Sequence, residues 1–204
     1  PTLYAETNIM GTLTLLEGIR YIWNKRALKG NRFIQISTDE VYNGIIQGTS
    51  RKDNRDYVLE ESHLTPENSY SASKAAADIM VNTFSKCYDI PSIITRCCSN
   101  YGPYQSTANF VPMCISNALD DRPIQITEGD YDKREWIHVQ DNSIAIIRAM
   151  FYGRPGEIYN LGSGEAASKR EIASSILKNM NKPEDLLELR DNDRAEARQL
   201  TLNS

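Results

Sequence analysis

Two short apolar runs, "RFIQIS" at 32–37 and "PSIITR" at 91–96, flank a segment from Tyr70 to Tyr88 whose apolar residues recur at helical spacing. Strand, helix, strand is the order of a parallel crossover, because parallel neighbours need a connection that carries the chain back to the same end of the sheet. A further helical period, Thr7 to Lys29, precedes the first strand and stops at Lys29-Gly30-Asn31, a glycine terminator. The chain therefore reads as α/β with a doubly wound parallel sheet. The broad apolar face expected on the second helix holds Ala72, Ala76, Ile79, Met80, Thr83, Phe84 and Cys87.

Beyond residue 105 the rhythm changes. "PIQIT" and "EWIHV" read as short strands, Asp141 as the cap of a helix to about Phe151, and "EIYNL" as another strand. Ser168 and Glu171 form a capping box for a helix ending near Met180. Residues 1–105 are thus expected to form the sheet domain, and 106–204 mainly a smaller substrate-side lobe with some segments returning to the sheet. The polar, aperiodic stretch 43–68 reads as a long loop.

Composition narrows the partners. At 204 residues, 40% hydrophobic and 25% charged, the chain suffices for one ordinary core with a small appendage. A net charge of -4 and a pI near 5.3 argue against a nucleic-acid surface and favour small molecules. Cys87, Cys97, Cys98 and Cys114 contain no C-x-x-C pair, and His63 and His138 stand far apart, so no metal site is expected. Reduced thiols suit a cytoplasmic protein. The uncharged run from Cys97 to Leu119 is interrupted by Asn, Gln, Ser and Pro and is no membrane span.

The chemistry begins where the first strand ends. In "QISTDEVYN", Thr38, Asp39 and Glu40 emerge together at the carboxyl end of a buried strand, where open α/β sheets place their ligands. In "YSASK", Tyr70 and Lys74 are four residues apart and share a helix face. Tyr21 and Lys25 have the same separation but enclose bulky Ile22 and Trp23, whereas Ser71, Ala72 and Ser73 permit close approach. An ammonium beside a phenol favours phenolate, making tyrosine a usable base.

These residues resemble the extended short-chain dehydrogenase/reductases. "STDEVY", "YSASKAAAD", "CSNYGPYQ", "REWIHVQD" and "YNLGSG" are similar specifically to the NAD-dependent nucleotide-diphosphate-hexose 4,6-dehydratases. The resemblance implies a Rossmann-like sheet, NAD as cofactor, and a nucleotide-diphosphate-glucose, dTDP-glucose first, converted to its 4-keto-6-deoxy sugar. It implies that Tyr70 takes the C4 hydroxyl proton, aided by Lys74 and Thr38, that Glu40 removes the C5 proton, and that Asp39 protonates the departing C6 hydroxyl. The adjacent acids would then hold opposite protonation states. Tyr70, Lys74, Ser37 and Cys97 would contact the cofactor. Thr38, Ser99, Asn100, Asn109, Arg134, Asn160 and Arg194 would contact substrate, with Arg198 near Arg194 in the closing pattern. Asn8 would support the active-site helix, and a homodimer would form through helices 7–29 and 70–88.

Departures accompany the likeness. Ser99-Asn100 stands where the family has Asn-Asn, Ser106-Thr107-Ala108-Asn109 where it has Phe-Pro-Glu-Lys, and "TEGD" where it has Gly-x-Gly. No Gly-x-x-Gly-x-x-Gly follows a strand in these residues. By comparison with the family, about two βαβ units, roughly 70 to 90 residues, are expected to be missing before Pro1. The segment alone would then bind NAD weakly and be inactive. An epimerase or decarboxylase of the same superfamily shares Tyr70 and Lys74 but has no task for the Asp39-Glu40 pair. A non-catalytic sugar-nucleotide-binding relic is the other alternative.

Overall fold

A computed structural model describes residues 1–23, 30–42, 51–52, 55–127, 133–190 and 201–202. The chain enters as α1 (Thr2–Tyr4), passes through a π-helical segment (Ala5–Met10) and continues as α2 (Gly11–Ile22). Strand β1 (Phe33–Thr38) runs directly into a 3-10 turn, Asp39–Tyr42. A ribbon of β2 (Arg51–Lys52) and β3 (Arg55–Val58) precedes α3 (Ser69–Tyr88), β4 (Ser92–Cys97) and β5 (Ser99–Tyr101). There follow α4 (Phe110–Leu119), β6 (Ile124–Thr127), β7 (Arg134–His138), α5 (Val139–Tyr152), β8 (Ile158–Leu161), β9 (Ala166–Ala167) and α6 (Lys169–Asn179). A 3-10 turn (Glu184–Leu186), β10 (Leu187–Arg190) and β11 (Thr201–Leu202) complete the described elements.

The parallel sheet expected from the strand–helix–strand order is present, with strand order β1-β4-β8. Phe33 pairs with Ser92 through to Thr38 with Cys97, and Ile94 to Cys97 pair with Ile158 to Leu161. All six residues of β4 are buried, as a strand paired on both sides and covered on both faces requires. Helix α3 makes the crossover from β1 to β4. Its start is fixed by Asn68, whose side chain accepts from Ser71 N while Ser71 Oγ accepts from Asn68 N, a reciprocal cap.

The buried face of α3 is not the one its apolar residues mark. Ser71, Ser73, Ala75, Ala77, Asp78, Val81 and Phe84 are buried, whereas Ala72, Ile79, Thr83 and Cys87 are exposed. Small residues win the inner face because they let the helix backbone approach the sheet. The two serines are buried at little cost, since Ser71 Oγ donates to Asn68 O and Ser73 Oγ to Tyr70 O. Leu16 of α2, Val81, Phe84, Ile90 and Ile94 form the core between helices and sheet.

The second half has a core of its own, built from Cys114, Ala118, Ile124, Ile126, Ala173 and Leu177. There β6 and β10 pair in parallel, while α5 and β8 return to the main sheet. Helix α4 forms within the uncharged run from Cys97 to Leu119. Two expectations are corrected. The cap of α5 is His138, whose Nδ1 accepts from Gln140 N at 3.3 Å, so Asp141 lies inside the first turn. The stretch read as loop 43–68 contains the β2–β3 ribbon, which β11 extends through β3. The Ser168–Glu171 box on α6 is present as expected. The helix expected over 7–29 instead begins at Thr2 and ends at Ile22, where Trp23 is already extended, and residues 24–29 lie outside the described residues. Among the described residues no helix is long and apolar enough to cross a membrane.

Candidate active site

Thr38 ends β1 and starts the turn that aims two acids. Its Oγ1 accepts from Glu40 N at 3.2 Å and donates to Asp39 Oδ1 at 3.3 Å, the local bonding by which a hydroxyl turns a chain leaving a strand. Val41 and Tyr42, fully buried behind the turn, anchor it against Val58, Ala75, Cys98 and Ile137. Asp39 and Glu40 are thereby held at the carboxyl end of the sheet. They line a cleft of about 590 Å³ together with Ser37, Thr38, Tyr70, Lys74, Cys97, Ser99, Asn100 and Asn109.

The α3 side of the cleft is braced from three directions. Asn68 Nδ2 donates to Glu40 Oε2 at 3.3 Å, so the residue that caps the helix also orients one acid. Asn8 Nδ2 donates to Ser73 Oγ at 2.9 Å, and that hydroxyl donates to Tyr70 O at 2.7 Å, which gives Asn8 the supporting position expected of it. Tyr4 meets the Tyr70 ring edge-on at 5.5 Å. Lys74 Nζ donates to Ile36 O at 2.5 Å, which fixes its ammonium beside the end of β1.

Burial dominates the electrostatics. It pushes the Asp39 carboxyl up to about 7, with the Arg134 guanidinium pulling down and Glu40 pushing further up. A carboxyl so placed holds its proton in about half of the molecules at neutrality. Burial also raises the Tyr70 phenol, with Glu40 next in effect, and lowers the Lys74 ammonium. The expected depression of the Tyr70 phenol by Lys74 is therefore absent here: the ammonium is bonded to a β1 carbonyl and the nearby carboxylates oppose phenolate. Cys97 is held as a thiol by burial.

Ten of the residues singled out in the sequence thus share one cleft. Arg134 stands on β7, half-buried, within electrostatic reach of Asp39. Asn160 does not belong to the cleft, a correction with a clear cause: it is 4% exposed, its Oδ1 accepts from Tyr42 OH and its Nδ2 donates to Val58 O. Both ends of the amide are bonded within the protein. Asn100 lines the cleft, yet its Nδ2 donates to Cys98 O and its Oδ1 accepts from Asn142, so it serves as a fixed wall. Arg194 and Arg198 lie outside the described residues. Tyr4, Phe110 and Trp136 also line the cleft without having been foreseen. Only Trp136, beside Arg134 in "REW", carried a local signal.

A Tyr-x-x-x-Lys helix crossing beside a strand that ends in hydroxyl, acid, acid, on a parallel α/β sheet, defines a site of the extended short-chain dehydrogenase/reductase class. Comparison with known proteins takes this further. The family model described as GDP-mannose 4,6 dehydratase matches residues 1–201, and the chain belongs to that family. It is 37% identical over 187 residues to the low-salt glycan biosynthesis protein Agl12 of Haloferax volcanii, covering 91% of this chain and 55% of that protein. It is 36% identical over 176 residues to dTDP-glucose 4,6-dehydratase of Neisseria meningitidis serogroup B, covering 85% and 48%. The crystal structure of dTDP-glucose 4,6-dehydratase from Bacillus anthracis in complex with NAD superposes with a TM-score of 0.83 at 32% identity, over 98% of this chain and 60% of that one. The chain spans about half the length of the curated relatives it matches.

Proposed function

We propose that the chain carries the acid–base half of an NAD-dependent 4,6-dehydratase acting on a nucleotide-diphosphate-glucose, dTDP-glucose first. The observation that carries this reading is the Asp39-Glu40 pair, with Asp39 raised to about 7 by burial, in one cleft with Tyr70 and Lys74. A C4 epimerase needs no such acid. Elimination of water across C5 and C6 needs one group to take a proton while another gives one.

The donor set fits the nicotinamide–ribose end of NAD: Tyr70 and Lys74, a phenol and an ammonium, line the cleft together with Ser37 and Cys97. A Gly-rich phosphate loop is not among these 204 residues, so the chain's own contribution is that end alone. When bound, NAD supplies the hydride acceptor at C4 and the donor at C6. The protein's residues move the protons. Tyr70 accepts the C4 hydroxyl proton, with Thr38 as a hydrogen-bond partner, and Lys74 would contact the nicotinamide ribose. Glu40, held by Asn68, takes the C5 proton that the C4 ketone has acidified. Asp39 passes its proton to the C6 hydroxyl as it leaves as water, and Arg134 grips the diphosphate. The lobe formed by α4, β6, α6 and β10 would hold the nucleotide, and a homodimer through α2 and α3 would cover their exposed apolar residues.

The test uses protein expressed from the intact coding region, incubated with NAD and either dTDP-glucose or UDP-glucose. A 4-keto-6-deoxy product is expected. Glu40→Gln is expected to reduce NAD without releasing that product, and Tyr70→Phe to do neither. Normal product from Glu40→Gln would sink the role given to Glu40, and a C4 epimer as the wild-type product would sink the dehydratase reading.

A further inference from the structure

Beneath the cleft lies an ion pair that the proposed chemistry does not use. Arg96, in the central strand β4, and Asp78, in α3, are 3% and 1% exposed and meet through Nε and Oδ2 at 2.9 Å. Asp78 follows Lys74 by one helical turn and Tyr70 by two, on the same helix face. Burial pushes the Asp78 carboxyl up and Arg96 is the strongest influence holding it down. Asp78 in turn favours the charged form of Lys74.

The other side of the guanidinium faces the carboxylate turn. Arg96 Nη1 donates to Tyr42 OH at 2.6 Å and to Glu60 O at 3.2 Å, and the guanidinium stands 4.8 Å from the centre of the Tyr42 ring. Tyr42 closes the 3-10 turn that begins with Asp39 and Glu40. Its hydroxyl donates to Asn160 Oδ1 at 2.9 Å, and Asn160 N donates to Glu60 Oε1 at 2.9 Å. Asn160 lies beside Arg96 in the β4–β8 register, so strand pairing sets the whole network. A buried ion pair is a poor source of stability, because apolar replacements of similar volume often do as well. What apolar replacements cannot do is bond two elements at fixed angles from one planar group.

We infer that Arg96 is a positioning residue, clamping the turn that bears Asp39 and Glu40 to the helix that bears Tyr70 and Lys74 so that both sets of proton-transfer groups face one sugar. The inference rests on the dehydratase reading. It separates the two halves of the site: loosening Tyr42 moves the acids and leaves the helix in place, whereas loosening Arg96 disturbs both.

The test compares wild type, Tyr42→Phe and Arg96→Lys, each expressed from the intact coding region, by rapid mixing with NAD and dTDP-glucose. Reduced-nicotinamide absorbance reads C4 oxidation and 4-keto-6-deoxy product reads elimination. Tyr42→Phe keeps the ring and removes the tether; elimination is expected to slow on the order of a hundredfold, the penalty of about 1 Å of misplacement, with oxidation and KM unchanged. Arg96→Lys, which cannot reach both partners at once, is expected to slow both steps. In cofactor-free protein, infrared titration of the Asp39 carboxyl should show its midpoint falling in Tyr42→Phe as water reaches the loosened turn. Tyr42→Phe with normal elimination, or with both steps slowed alike, or with an unmoved Asp39 midpoint, would overturn the inference. A wild type that neither reduces NAD nor forms product would overturn the dehydratase reading and this inference with it.

Discussion

Replacing Asp39 by Asn should stabilise the protein, and only above a defined pH. The rise of the Asp39 carboxyl from 3.8 to about 7 corresponds to about 4 kcal/mol of preference for the protonated form in the folded state. The sign follows from proton linkage. Between those two values the folded protein holds a proton that the unfolded chain has lost, so stability falls as pH rises through that window, by about 1.4 kcal/mol per pH unit at most. Below it both states are protonated and Asp39 costs nothing; above it the full cost is present. Asn keeps the shape, has no charge to bury, and removes the slope. Urea unfolding of wild type and Asp39→Asn at intervals from pH 4 to pH 9 should give curves that nearly coincide at the acid end. They should diverge in favour of the variant up to about pH 7 and run parallel beyond it. Water entering the open cleft will reduce the plateau below 4 kcal/mol, and about 1 kcal/mol is the least the reasoning tolerates. The same variant should lose elimination at every pH, while wild-type elimination declines as pH rises through 7 and the acid is lost. A stability difference that is flat across the range, or that favours wild type at high pH, would refute the assignment of a half-buried Asp39 that keeps its proton up to about pH 7.

Two further outcomes follow from the helices. Asn68→Asp should keep the α3 cap, since either side chain accepts from Ser71 N, but it turns a donor to Glu40 into a like charge; thermal unfolding should be within about 1 kcal/mol of wild type while turnover falls. Equal activity would show that Glu40 needs no orienting donor. Ile79, 57% exposed on α3, and Leu15, 60% exposed on α2, should lie in the proposed dimer contact, so that Leu15→Glu with Ile79→Glu gives a monomer by sedimentation velocity where wild type is a dimer. An unchanged sedimentation coefficient would move the contact elsewhere.

The sheet was legible because its strands are nearly uninterrupted apolar runs and its crossover helix begins and ends on local signals. "PSIITR" is hydrophobic enough to require burial on both faces, and β4 has it. The α6 box, Ser168 with Glu171, could be read from two residues because a cap is a local bond. Which face of α3 turns inward could not, because that depends on how near the sheet the backbone comes. Reading apolarity alone favours Ile79; close approach favours Ser73 and Ala77. Helix α4 was hidden for a related reason. Its sequence is apolar nearly all round, so it has little periodic signal, and it forms because Cys114 and Ala118 find Ile124, Ala173 and Leu177.

The site shows the same division between local and long-range information, and Asn160 and Asp39 mark its two sides. Residue types and spacing are local, so Thr38, Asp39, Glu40, Tyr70 and Lys74 could be picked from two short stretches and prove to share a cleft. Protonation is not local: an Asp in "TDE" is an ordinary carboxylate until Val41 and Tyr42 pull the turn into the core and the fold dries its surroundings. Partnership is not local either. Asn160 sits in a motif that suggests a ligand, but the β4–β8 register brings it beside Arg96, and the bonds it makes to Tyr42, Glu60 and Val58 consume its polar groups. A buried amide engaged at both its oxygen and its nitrogen cannot turn to a nucleotide without breaking one of those bonds, at a cost of about 1–3 kcal/mol for each group left unpaired. The same register that removes Asn160 from the ligand therefore places it in the support of the turn that bears the acids.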